Sequence, residues 1–197
     1  MSNSGLSTFV NKLVNVIDNI TEVTGKLISW LTFFMVLLTF TIVVLRYAFN
    51  FGWIALQESV IYFHGLVFML GAAYTLKADG HVRVDIFYQH FSIKKKALIN
   101  IFGAVFLLLP VTIFIFFISF DYVAVSFRIM EKSPEAGGLP FVYFNKSFLL
   151  LMAMTLVMQG VAEMGRNLLM LFSDNSNLTS QISKKAQKNK TINEVIV

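Results

Sequence analysis

Four stretches of this chain carry no charge over lengths close to what a bilayer demands: Leu27 to Leu45, Ser59 to Leu76, Ala97 to Phe120 and Ser147 to Ala162. Crossing about 30 Å of hydrocarbon takes roughly 20 apolar residues in a helix. No other backbone conformation except a closed barrel satisfies its own polar groups there. The fourth run is the shortest and reaches back to Phe141 only if Lys146 snorkels to the headgroups. The expected fold is an all-α integral membrane protein with four transmembrane helices, over about 27–49, 57–77, 94–121 and 141–164. Composition agrees: 56% of residues are hydrophobic and 14% charged, where a soluble domain would be roughly half apolar and a quarter charged. The first run is expected to remain in the mature chain. It exceeds the apolar core of a cleaved signal, follows about 26 mostly polar residues and lacks a small-x-small cleavage site.

Charge placement gives an orientation. With four spans, twelve Lys and Arg fall on the side of both termini and four, Arg46, Arg128, Lys132 and Lys146, on the other. The positive-inside rule then puts both termini in the cytoplasm of a multi-pass inner-membrane protein. The net charge of +5 faces anionic headgroups, so membrane lipid is an expected partner and nucleic acid is not.

Residues about 6–25 place Leu6, Phe9, Val10, Leu13, Ile17 and Ile20 opposite Asn11, Lys12, Asn15, Asp18, Asn19 and Glu22, the pattern of an amphipathic helix. It is expected to lie in the cytoplasmic interface before the chain turns into the membrane, or to pack on a partner subunit. Asp79-Gly80 supplies a turn after the second span. A short apolar connector follows (Val82, Val84, Ile86, Phe87, Phe91), then Ser92 as a helix cap and Lys94 to Lys96 at the headgroups. Pro134, Gly137, Gly138 and Pro140 make an outward loop. Residues 1–173 read as a single membrane domain and 174–197 as a polar, flexible tail. No internal repeat is evident, which counts against an inverted-repeat transporter built from this chain alone.

The chemistry-bearing inventory is thin. Zero cysteines exclude disulfides, thiolate metal sites and a cysteine nucleophile. No nucleophile elbow or phosphate loop is present, and His64, His81 and His90 have neither the spacing for a metal nor the matched depth for a haem. No enzyme activity and no cofactor are expected. His64, about six residues into the second span, reads as a hydrogen-bonded packing residue ahead of a proton-handling one. At the outer edge, Arg46 and Glu58 either pair, with each other or with a partner, or act separately, Arg46 snorkelling and Glu58 capping a helix. Pro110 should kink the third span.

The order Arg46-Tyr47-Ala48-Phe49-Asn50, Gln57-Glu58, Gly71-Ala72-Ala73 and His81-Val82-Arg83-Val84-Asp85 resembles the small membrane subunit (DctQ type) of tripartite ATP-independent periplasmic (TRAP) transporters. The likeness covers most of residues 25 to 170. Ser133 to Pro140, Lys146 and Gln159 to Glu163 resemble the branch linked to α-keto acid and mannitol-type systems. Many relatives carry Trp-x-Glu-Glu before the second span; here Ala55-Leu56-Gln57 precedes a single carboxylate, Glu58.

The resemblance implies a helper subunit. A large multispanning permease subunit (DctM type) would move an organic acid by a sodium-driven elevator, and a periplasmic substrate-binding protein would deliver it. The small subunit would brace the fixed scaffold. No substrate-binding, catalytic or metal residue is then expected in this chain, and Arg46, Asn50, Trp53, Glu58, His81, Arg83 and Asp85 become the candidates for ordering interfaces. Two other readings stay open: a self-sufficient small four-helix transporter, and a membrane anchor for a redox or signalling enzyme.

Overall fold

The computed structural model describes residues 3–81, 88 and 90–172. Arg83, Asp85, the rest of the 82–87 connector and the tail over 174–197 lie outside the described residues. The four helices are α1 (Asn3–Phe49), α2 (Ile54–Lys77), α3 (Ile93–Arg128) and α4 (Val142–Phe172). Each is long and apolar enough to cross a membrane.

The segment expected to lie in the interface is not set off by a turn. It forms the first part of α1, which runs unbroken for 47 residues, about 70 Å at 1.5 Å per residue. The physical reason lies on α4. Val14 and Ile17 are buried with Ala162, and Val10 packs beside them. The apolar stripe read from sequence is thus divided: Val10 and Ile17 face α4, whereas Phe9, Leu13 and Ile20 remain exposed.

The helices α1, α2 and α3 each stop where a residue enters the left-handed region. Asn50 (φ 49°) ends α1 and lets the Phe51 N–H reach the Leu45 carbonyl at 3.0 Å. Asp79 (φ 58°) ends α2: its N–H bonds the Leu76 carbonyl and the Gly80 N–H the Thr75 carbonyl, which satisfies two of the carbonyls a helix end leaves open. Met130 (φ 46°) closes α3 through the same pair of bonds, to Phe127 and from Glu131 to Ser126. Ser92 caps α3 as expected, its hydroxyl accepting from the Lys95 N–H.

Pro110 acts through the turn before it. Proline has no N–H and its ring crowds the preceding turn; here residues Ala104–Leu108 form a π-helical turn within α3. The Thr112 hydroxyl donates to the Leu108 and Leu109 carbonyls, at 2.7 and 3.1 Å.

The helix α4 is the hub and packs against all three others, while α1 also pairs with α2. In the most apolar stretch of α4, 33% of residues are buried, against 6%, 6% and 11% for α1, α2 and α3. The outer faces carry Trp30, Phe40, Phe68, Phe106 and Phe117 exposed, the surface a chain can show only to hydrocarbon or to another apolar partner.

Candidate functional site

Polar side chains gather at two levels, one at each end of the helix bundle: a cluster around Asp18 and Arg166, labelled inner, and one around Glu58 and Glu131, labelled outer. The inner cluster joins all four helices. Arg166 of α4 donates to Asp18 of α1 and to Glu163, both at 2.5 Å. Gln159, fully buried, donates to Asp18 at 3.1 Å and accepts from the Thr21 hydroxyl at 2.8 Å. Asn167 links Glu163 to Asn100 of α3, whose side-chain amide oxygen accepts from the Tyr88 hydroxyl. Lys77, at the end of α2, bonds the Asp18 carbonyl at 2.7 Å and Glu22 at 2.9 Å, and Lys26 shares Glu22. A buried polar group costs free energy unless bonded, and here the bonds of Arg166 and Gln159 to Asp18, of Thr21 to Gln159, of Asn100 to Asn167 and of Lys77 to Asp18 and Glu22 run between helices, while those of Glu163 to Arg166 and Asn167 and of Glu22 to Lys26 stay within one. The cluster therefore fixes how the four helices meet.

At the outer end the cluster fastens a loop. One oxygen of the Glu58 carboxylate accepts from the Ser133 hydroxyl and the other from the Leu139 N–H at 2.6 Å. Within the loop the Ser133 N–H bonds the Leu139 carbonyl, and the Gly138 N–H the Glu135 carbonyl. At its base Glu131 accepts from Lys146 and from the Ser126 hydroxyl, each at 2.6 Å. These donors hold the Glu131 carboxyl below the ordinary carboxylate range, Lys146 first and Ser126 second. The Lys146 ammonium also lies over the Tyr122 ring, 4.1 Å from its centre.

The sequence-derived candidates are distributed as follows. Glu58 binds the loop and does not pair with Arg46, which is exposed at the outer end of α1. Asn50 is the left-handed residue between α1 and α2, and Trp53 precedes the first turn of α2, half exposed. His81 is exposed just past α2; Arg83 and Asp85 are outside the described residues. Asp18, Gln159 and Arg166 were not among the candidates. Their signal was the polar row Gln159, Glu163, Arg166 at helical spacing on α4, matching Asp18 and Thr21 on α1.

His64 departs from its expected place. Because α2 begins at Ile54, the imidazole sits near mid-helix, on an exposed face, stacked on Phe68 with ring centres 6.3 Å apart. It has no hydrogen-bond partner among the described residues, so the bond that the sequence suggested is not supplied by the other described helices of this chain. It lines an open groove of about 570 Å³ with Met35, Val36, Thr39, Phe40 and Val43 of α1 and Val60 and Ile61 of α2.

Residues 35–170 match the family described as tripartite ATP-independent periplasmic transporters, DctQ component. The chain belongs to the DctQ family. No curated protein and no solved structure matches it. DctQ membership makes it the small component of a TRAP transporter, a transporter part and not a member of an enzyme family. The DctQ match takes in Glu58, the 131–140 loop and Lys146, hence the whole outer cluster. It begins after Asp18, Thr21 and Glu22, so the α1 half of the inner cluster lies outside it.

Proposed function

We propose that this chain braces the fixed part of a sodium-coupled TRAP permease that imports an organic acid handed over by a periplasmic binding protein. A brace must hold its own shape while offering a large apolar exterior to a partner. The observation that carries the reading is the inner cluster: Asp18, Lys77, Asn100, Gln159, Glu163, Arg166 and Asn167 tie four helices together, while most large apolar side chains stay uncovered. A substrate or ion route would need polar groups continuing through the membrane centre. The described polar networks sit instead at the two ends.

In this reading both termini are cytoplasmic by the positive-inside rule. Arg46, Asn50, Trp53 and Glu58 order the periplasmic edge, where the large subunit or the binding protein touches. His81, Arg83 and Asp85 order the cytoplasmic connector. The testing experiment is a pull-down of the tagged chain from detergent-solubilised native membranes, with mass spectrometry of what remains bound. Recovery of a large multispanning permease in near-equal amount is the expected result. A chain that purifies alone contradicts it.

A further inference from the structure

The groove between α1 and α2 contains one side chain that hydrocarbon cannot satisfy. Its other polar lining residue, Thr39, already spends its hydroxyl on the Met35 carbonyl at 2.8 Å. The remaining lining is aliphatic or aromatic except for His64. His64 is the eleventh of the 24 residues of α2, about 15 Å from one helix end and 20 Å from the other at 1.5 Å per residue. A neutral imidazole carries one donor and one acceptor. Neither finds a partner among the described residues, and bulk water does not reach that depth. An acyl chain would fill the groove and leave both nitrogens unbonded, at the cost of any unpaired polar group in an apolar medium.

We infer that this groove receives a transmembrane helix of the large permease subunit, and that this helix brings a hydrogen-bonding side chain to the His64 imidazole. The inference rests on the bracing reading and deepens it by naming the face and the polar pin. The long rows on either side suit helix packing: Val36, Phe40 and Val43 on α1, Ile61 and His64 on α2, spaced three or four residues apart, present ridges between which a third helix can lie. The interhelical hydrogen bond then supplies register, since apolar contact alone discriminates poorly between sliding positions in a membrane.

The test uses the full complex in native membranes. A photoreactive benzoyl-phenylalanine is placed at Ile61, which is 60% exposed and so tolerates it without disturbing the fold. In parallel, His64→Phe and His64→Gln chains are used to pull down the large subunit. The expected results are an Ile61 adduct with the large subunit, recovery reduced about three- to twentyfold by His64→Phe, and His64→Gln within about twofold of the unaltered chain. If the unaltered chain recovers the large subunit but Ile61 couples only to lipid, to a second copy or to nothing, the groove is not the docking face and the bracing reading survives. Unchanged recovery with His64→Phe overturns the polar pin. Failure of the unaltered chain to recover any large subunit overturns the bracing reading and this inference together.

Discussion

Glu58 stands in the second turn of α2, where a carboxylate could remain in water at no cost. Instead both its oxygens are used, by the Ser133 hydroxyl and the Leu139 N–H. Glu58→Gln keeps the shape but loses the charged acceptor, and the loop should loosen by about 1–3 kcal/mol. Hydrogen exchange at the Leu139 amide should rise accordingly, and an unchanged rate would count against the bond. Glu131 offers a pH test. Its carboxyl is held below the ordinary value of 4.5 by Lys146 and Ser126. A depressed carboxyl contributes stability that is complete above the unfolded value and is lost as the pH falls through the folded one. Thermal melting in detergent should therefore show an acid limb below about pH 4.5 that Glu131→Gln flattens. The sequence offered Glu58 as a candidate because a lone acid at a membrane edge is conspicuous. Its partners were not legible, since Ser133 and Leu139 lie 75 and 81 positions away and only the folded bundle brings that loop over α2.

The presence of four long apolar helices was readable because span length and apolarity are properties of a single segment. The Asp79 turn and the Ser92 cap were readable for the same local reason. What was not legible was that the start of α1 continues unbroken into the first span and packs on α4. A polar row over Asn11 to Glu22 has the look of a helix lying on the membrane, yet part of that row, Asp18 and Glu22, is spent on α4 and α2. Pairing between residues 148 and 55 positions apart is invisible to periodicity within either segment. Close packing along these rods depends on small residues. At Gly25 an added Cβ would run into the Tyr74 ring of α2. Gly25→Val should force α1 and α2 apart and lower stability by about 1–3 kcal/mol, read as a reduced melting temperature in detergent. At Gly160 an added Cβ would sit 2.9 Å from the Leu108 side chain, beside the π turn of α3. The absence of a side chain at Gly160 thus lets Leu108 of the π turn lie close against the α4 backbone.

Across the whole molecule, the inner cluster is the device that makes four mostly lipid-facing helices a single body. Arg166 is its joint: it meets both Asp18 and Glu163 with a quarter of its side chain exposed. Arg166→Met would leave two carboxylates without their cation and should cost about 1–3 kcal/mol, with α1 released first. Protease cleavage within residues 3–26 should then appear under conditions where the unaltered chain resists. Persistence of resistance would mean that apolar packing around Val14, Ile17 and Ala162 holds α1 by itself. The most direct test of the bracing role is substrate uptake in proteoliposomes holding the large permease subunit with its binding protein, with and without this chain. The account predicts that uptake requires this chain beside the large subunit and that the chain alone moves nothing; full uptake by the large subunit without it, or uptake by the chain by itself, would contradict it.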